Sequence, residues 1–385
     1  MLRNCGIMST VVRIDGSLGE GGGQVLRTAL TLSTLYRIPI EIENIRAGRL
    51  KPGLAAQHLK CVELAKEMCN AEVKGGCMGS TSLKFYPGPL NKYKKQFIAD
   101  THTAGCICLL AQVALPCALF LPCNEEITLF FKGGTNVPMG PHIEYLLKVF
   151  QPMLNKFGAK FQSSIARRGY YPKGGGEVRL DIHPIHHLNA VTLIDPGVPR
   201  QIIGWSFADI NYIKEAYKMA NDARATLRDT LMINKFEVPP MDIESYPVNK
   251  LITTGNGSGI NIVCITSTDC FFGGSGLGRG PRDTSSPGKT AAEDILKPIL
   301  TGACVDEHMQ DQMIILMTLA EGVSRIKVGD KQLTSHTQTA MQVAEIMLGN
   351  RGLHFNLLES ADNKGTLSYV LECQGCGLIN SNLSK

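Results

Sequence analysis

Polar and apolar residues alternate with period two over Val11–Asp15. A glycine-rich turn then gives way to apolar positions at helical spacing from Gln24 to Tyr36. The same reading predicts a strand at Ile40–Ile45, a helix at Leu54–Cys69 and strands at Glu72–Gly75 and Ser82–Tyr86, a βαβαββ order. That order recurs as strand Gln96–Ala99, helix Ala104–Leu119, strand Ile127–Phe131, helix Ile143–Phe157 and strands Lys160–Ala166 and Glu177–Ile182. A third, partial copy runs from helix Met309–Leu319 through strand Ser324–Val328 and helix Thr337–Leu348 to strands at His354–Leu358 and Leu367–Glu372. Residues 187–286 have a different texture: a strand at Gln201–Phe207, a long helix at Tyr212–Met232, and strands at Phe236–Ile243 and Gly259–Ile265. The expected fold class is α/β, built of α+β repeats. Tandem βαβαββ units form a large domain from 1–186 and 287–385, and 187–286 is an inserted α+β domain.

One stretch imitates a membrane span. Residues 104–123 carry no charge, but Gln112 lies near the middle, Pro116 and Pro122 interrupt it, and no basic cluster flanks it. A buried core helix is the better reading, and no membrane partner is expected. The first ten residues lack the apolar run of a signal peptide. The 13 cysteines form no regular framework and mostly sit in apolar runs, as Cys106, Cys108 and Cys117 do, which points to a reducing compartment. With 44% apolar and 19% charged residues the chain can build a sizeable core, which excludes wholesale disorder. A net charge of +5 neither demands a nucleic-acid partner nor repels one.

The repeats give the loops meaning, because equivalent loops should lie at the same end of their sheets. RAGRLKPG (46–53), KGGTNVPMGP (132–141) and GDKQLTSH (329–336) each lead into a helix, and GEGGGQ (19–24), THTAGC (101–106) and VDEHMQ (305–310) precede the first helix of each copy. Helix N-termini offer free N–H groups and partial positive charge to a phosphate. If the copies converge, Glu20, Arg27, Arg46, Arg49, Gln57, Asp311 and His336 line one anion-binding cleft. The arginines are suited to bidentate phosphate contact, or else are solvated loop charges. Glu20 is a metal ligand or a solvated carboxylate. His336 belongs to a simple capping neighbourhood, with Thr334 or Ser335 as N-cap, or is a nucleophile whose neutral form the helix start favours.

Several look-alikes carry less. DTSSPGKT (283–290) imitates a phosphate-binding loop, but Asp283 replaces the first glycine and no apolar strand leads in. RIDG at 13–16 imitates the lysine motif of covalent nucleotidyltransferases, yet a guanidinium does not shed its proton, so Arg13 cannot be that nucleophile. His183, His186 and His187 lack the spacing of a metal cluster and read as surface, and Cys373 and Cys376 form a single CxxC with no second pair.

Five blocks in order, DGSLGEGGGQVLR (15–27), IRAGRLKPGLAAQHL (45–59), KGGTN (132–136), RRGYYPKGGGEV (167–178) and SHTQTA (335–340), resemble the RNA 3′-terminal phosphate cyclase family over nearly the whole chain. VSRIKVG (323–329) and ECQGCG (372–377) resemble its eukaryotic members. The resemblance implies a thioredoxin-like insert and an ATP-dependent reaction in three steps. A histidine takes AMP from ATP, the AMP passes to an RNA 3′-phosphate, and the neighbouring 2′-OH closes a 2′,3′-cyclic phosphate. His336 matches the family nucleophile and Glu20 the metal carboxylate, with Mg²⁺ or Mn²⁺ expected. Arg27, Arg46, Arg49, Gln57 and His58 match contacts to phosphate or the RNA end. Gln112, Pro141, Tyr145, His308 and Asp311 fall where the family holds the nucleotide. His308 stands where members usually carry tyrosine. The expected partner is RNA with a 3′-phosphate end, and eukaryotic relatives imply a nuclear location (nucleoplasm), with the cytoplasm left open as a second one. A cyclase-like ribosome-assembly branch is one competing function, and it lacks the histidine that His336 supplies; an enolpyruvyl transferase, whose repeats resemble these, is another, and it would need neither the SHTQTA block nor a covalent histidine.

Overall fold

The computed structural model describes residues 10–278, 286–330, 332–361 and 367–383. The N-terminal nine residues, Asp283–Ser285 of the loop look-alike and Lys331 of the third copy's second loop lie outside them.

The first unit is β1 (Val12–Asp15), α1 (Gln24–Tyr36), β2 (Ile40–Glu43), α2 (Ala56–Cys69), β3 (Glu72–Lys74) and β4 (Leu83–Tyr86). β1 and β2 pair in parallel, and β4 returns antiparallel to both β2 and β3, giving the order β1-β2-β4-β3. The second unit is β5 (Gln96–Asp100), α3 (Ile107–Leu119), β6 (Ile127–Gly133), α4 (Ile143–Tyr145), a π-helical stretch Leu146–Phe150, α5 (Gln151–Lys156), β7 (Phe161–Gly169) and β8 (Gly176–Ile182). Its strands follow the order β5-β6-β8-β7, again with the first pair parallel. α3 starts three residues later than the apolar run predicts, because Cys106 is engaged in a bridge with Gly134.

The chain then makes the short strand β9 (Thr192–Leu193) before leaving for a different sheet. That excursion is β10 (Pro199–Ala208), α6 (Ile213–Ile233), β11 (Met241–Pro247), β12 (Thr253–Thr254), β13 (Gly259–Thr266), β14 (Phe271–Leu277) and α7 (Pro287–Thr301). Its sheet has the order β11-β10-β13-β14, while β12 joins the edge of the second unit's sheet beside β7. α6 and α7 pack together over the excursion's sheet and share a core with Ile202, Leu227, Ile262, Phe272, Ile295 and Ile299. α7 therefore packs with this sheet although it begins just after position 286. The chain returns through α8 (Glu307–Leu319), β15 (Val323–Gly329), α9 (Ser335–Leu348), β16 (His354–Ala361) and β17 (Leu367–Gln374). β9 pairs parallel to β15, so this sheet has the order β9-β15-β17-β16, the same as the other two.

The helices of these three sheets meet in the middle. α1 touches α2, α3 and α9, and α8 touches α3 and α9, around one core that includes Leu26, Leu30, Leu110, Leu115, Met313 and Val343. Burying each helix on its neighbours brings the starts of α1, α2, α8 and α9 together. Among the described residues no helix is long and apolar enough to cross a membrane. α3, the stretch that imitates one, is buried among α1, α2 and α8.

Candidate active site

α1 begins at Gly23 with no side chain capping its first N–H groups. The glycines before it are dictated by what lies on them. A Cβ on Gly22 would sit 2.2 Å from Glu20 Oε1 and 2.6 Å from Arg49 Nη2; one on Gly23 would sit 2.6 Å from His58 Nε2 and 2.8 Å from Arg27 Nη1. Two neighbouring glycines thus seat two acid–base side chains and two guanidinium groups directly against the backbone.

Arg27 is buried, at 8% exposure. Its Nη2 donates to Gln24 Oε1 at 2.5 Å, its Nε has no partner, and among the described residues no carboxylate lies within 4.0 Å of it. A buried cation with no carboxylate in direct contact costs several kcal/mol of desolvation; Asp311 acts on it only from a distance, so this helix start can take an anion from outside. His58 lies beside it with Nδ1 buried and unpaired. Burial first, and then the charges of Arg27, Arg46 and Arg49, push His58 down to about 3, which keeps the imidazole neutral at physiological pH.

The loop before α2 divides its two arginines. Arg46 adopts a left-handed backbone, φ 56°, and turns back on its own loop, donating from Nη1 to the carbonyls of Lys51 (3.1 Å) and Gly53 (2.7 Å). Burial and the neighbouring Arg49 lower its affinity for the proton. Arg49 reaches out and pairs with Glu20 at 2.5 Å. Gln57 Oε1 accepts the N–H of Cys106 at 2.9 Å, which ties the start of α2 to the start of α3.

The opposite wall comes from the far end of the chain. Thr334 caps α9 by accepting the N–H of Thr337, settling the choice between Thr334 and Ser335. His336 follows in the first turn, half-exposed, with Nδ1 3.5 Å from Glu20 Oε1. The Glu20 N–H donates to Thr339 Oγ1 at 3.4 Å, so α9 also holds the glycine loop. Asp311 on α8 is half-buried; burial raises its carboxyl, while Arg27, His336 and His308 pull the other way. His308 is exposed at the start of α8, edge-on to Tyr145 with ring centroids 6.3 Å apart. Tyr145 itself is buried and donates to Asp306 Oδ1 at 2.6 Å, and both the phenol and that aspartate are pushed up by burial. Pro141 accepts from Cys106 Sγ at 3.3 Å through its carbonyl. Gln112 is half-buried on α3 and makes no side-chain hydrogen bond among the described residues.

Glu20, Arg27, Arg49, His58, Asp311, His308 and His336 are therefore linked by direct contact or mutual electrostatics. Pro141 and Gln57 reach the cluster through Cys106, and Tyr145 through His308. Sequence reasoning missed the residues that hold these in place. Asp306 caps α8 by accepting from His308 and Met309 and also binds the Gly273 N–H at 2.8 Å. Gln310 Oε1 accepts from the Thr334 N–H at 3.3 Å and Thr337 Oγ1 at 3.4 Å, which fixes the start of α9 beneath His336. The turn VDEHMQ already carried the signal for Asp306, an aspartate directly before a helical repeat.

A divalent cation is a fair fit to one carboxylate. Among the described residues no group of three or more His, Cys, Asp or Glu side chains is placed to cage a metal. Mg²⁺ typically takes one or two carboxylates and fills its other positions with water and substrate phosphate. Glu20, between Arg49 and His336, is a carboxylate that could serve such an ion.

Comparison with known proteins is consistent with this geometry. The family model for RNA 3′-terminal phosphate cyclase matches residues 18–352. The chain is 38% identical over 366 residues to the RNA 3′-terminal phosphate cyclase of Pyrobaculum aerophilum, covering 95% of this chain and 99% of that one. It is 37% identical over 338 residues to the protein of that name from Ignicoccus hospitalis, covering 88% and 93%. The Drosophila melanogaster protein of the same name is 34% identical over 375 residues, covering 96% and 98%.

Proposed function

This chain belongs to the RNA 3′-terminal phosphate cyclase family and is an enzyme of that kind, and we propose that it closes an RNA 3′-phosphate to a 2′,3′-cyclic phosphodiester at the expense of ATP. The observation that carries the reading is His336 at the start of α9, its Nδ1 facing Glu20 at 3.5 Å, in the same cluster as a buried Arg27 that makes no direct ion pair and leaves its Nε unpartnered. A proton on Nδ1 directed at the carboxylate leaves Nε2 with a free lone pair. In the proposed first step Nε2 attacks the α-phosphorus of ATP, a P–N bond forms and pyrophosphate leaves. An oxygen of the RNA 3′-phosphate then attacks the same phosphorus and the P–N bond breaks, giving RNA-3′-pp-5′-A. The 2′-OH finally attacks the 3′-phosphorus, loses its proton and expels AMP. That step needs little beyond proximity, since both groups belong to one ribose.

Arg27, Arg49 and the uncapped start of α1 would bind and orient phosphate oxygens. Neutral His58 would donate or accept at the same place without adding charge. Mg²⁺ or Mn²⁺ on Glu20 would neutralise charge on the triphosphate. Gln112, Pro141, Tyr145, His308 and Asp311 would form the nucleotide side of the cleft. The three sheets of identical strand order support an architecture of three βαβαββ repeats. In it the excursion would be an insert between the first strand and first helix of the third repeat.

A strand ending in 2′-deoxyribose 3′-phosphate tests the order of events. It should accept AMP and stall as the 3′-pp-5′-A cap, visible as one AMP added to the oligonucleotide mass. A ribose-ended strand should instead lose one water relative to its 3′-phosphate. If the ribose strand also stops at the capped product, the enzyme is a terminal adenylyltransferase and the cyclase reading fails.

A further inference from the structure

The turn between β7 and β8 has no part in the chemistry above, yet it is built with care. Tyr170 is buried, with its ring stacked on Phe207 at 5.4 Å, and its backbone is held by the Thr254 carbonyl at 3.0 Å. The Gly174 N–H closes the turn on the Tyr170 carbonyl at 2.8 Å. Gly174 has φ +67° and lies so close to the next loop that a Cβ would come 2.2 Å from the Thr103 carbonyl. That loop ends at Cys106, whose N–H is bonded to Gln57. The turn is thus a held shoulder beside the starts of α2 and α3, joined to Gln57, the neighbour of His58, through the 103–106 loop.

On this fixed support Tyr171 stands 62% exposed and Lys173 is exposed. Its neighbours Lys132 and His102 are paired with Glu177 (3.4 Å) and Asp100 (3.4 Å); Lys173 has no carboxylate within 4.0 Å among the described residues. Folding gains nothing from an aromatic ring held in water beside an uncompensated ammonium. A nucleotide chain gains from both: bases stack on the ring whatever their identity, and the cation meets a phosphodiester. One turn is too small a surface for a stable protein interface, which needs roughly 800 Å² per partner.

We propose that the Tyr170–Gly175 turn is the shoulder on which the RNA strand lies just 5′ of its terminal phosphate, with a base on Tyr171 and a backbone phosphate on Lys173. The inference rests on the cyclase reading and adds the single-stranded segment that the enzyme grips behind the reacting end.

The full-length protein would be tested with a 3′-phosphorylated oligoribonucleotide of about eight residues, the same strand with an abasic site near its end, and a mononucleoside 3′-phosphate. Tyr171→Ala and Lys173→Ala should each raise the Kd and KM of the oligomer about fivefold or more. They should leave KM for the mononucleotide and labelling by ATP alone at the wild-type level, and Tyr171→Phe should restore binding. The abasic strand should bind wild type and Tyr171→Ala alike. Wild-type oligomer affinity in both alanine variants, or equal losses for oligomer and mononucleotide, overturns the proposal. Should Tyr171→Ala lower the melting temperature, Lys173→Ala and the abasic strand carry the test. If wild type neither takes a label from ATP nor closes any RNA end, the cyclase reading fails instead, and the binding measurements, which need no turnover, still decide on the shoulder.

Discussion

α1 and α3 occupy the same place in two sheets of the same strand order, and both are 13 residues long and buried nearly all round. They differ in what they bury. α3 is Ile, Leu, Val, Ala and Cys, with a proline inside and one half-buried amide, Gln112. α1 buries Gln24, Arg27, Thr28, Thr31, Ser33 and Thr34. A core helix gains most from the first composition, since every buried polar group must find a partner merely to break even. The buried guanidinium on α1, held by Gln24 alone and without an ion pair, is thus a concession in stability to binding, and α3 is the packing wall that lets α1 make it.

The most severe break of this division lies on the opposite wall. His336→Ala should lower cyclisation from ATP by more than about 10³-fold, measured as conversion of 3′-phosphate RNA. It should leave the fold intact because the side chain is half-exposed. The same variant should still close RNA that already carries the 3′-adenylate. Wild-type turnover from ATP would remove the histidine from the mechanism.

Arg27→Met exchanges charge for similar volume. Activity should fall about 10²-fold or more, while the melting temperature stays level or rises, because the variant no longer buries an unpaired cation. Arg27→Lys should fall between, keeping charge and losing the fork. A marked loss of stability in Arg27→Met would mean that the guanidinium is structural and that the comparison with α3 is misplaced.

His58 offers a pH signature of the same cation cluster. Its folded pKa lies near 3, below the usual 6.5 that the unfolded chain regains. Below pH 6.5 the unfolded state therefore binds a proton that the folded state refuses. Stability should fall with pH from 6.5 toward 3 by up to about 1.4 kcal/mol per pH unit. Above 6.5 this group contributes no slope. His58→Gln should flatten that part of the unfolding curve; an unchanged slope would show that the imidazole is protonated in the fold.

Arg49→Lys should cost about tenfold, since the pair with Glu20 keeps its charge and loses geometry. Wild-type activity across salt concentrations would make Arg49 a solvated loop charge. The smallest effect should come from α3 itself. Gln112→Leu should raise KM for ATP about threefold, with KM for RNA and the melting temperature unaffected. A larger loss of stability would contradict the view of α3 as a plain packing wall.

Much of the fold could be read from the chain because its helices are buried on definite faces. α1 was expected at Gln24–Tyr36 and lies there, bounded by glycines and by Arg37 in a left-handed cap. β14 is not legible in the apolar pattern, because three of the seven residues of FFGGSGL are glycine. In the fold Gly274 and Gly276 are flat against the Ala291 and Pro287 carbonyls, where a Cβ would come within 2.0 and 2.3 Å, so the glycines let α7 sit on the strand. β9 is two residues long and has no periodicity to detect. β11 was expected at Phe236–Ile243 and begins at Met241, because Phe236 and Val238 pack as loop residues against the core of α6 and α7. In the site, charged residues on short glycine-bounded loops were legible as a group. The inward turn of Arg46 was not, since it depends on the carbonyls of Lys51 and Gly53 that only the folded loop presents.

The covalent step is the centre of this account, and it can be isolated by leaving RNA out. The full-length protein, incubated with ATP labelled at the α-phosphate and Mg²⁺ or Mn²⁺, should acquire one AMP per chain and release pyrophosphate. The bond should be labile to acid and stable to alkali, as a phosphoramidate is. Peptide mapping should place it on His336. An adduct on a lysine, or no adduct under conditions where RNA ends are cyclised, would contradict the account.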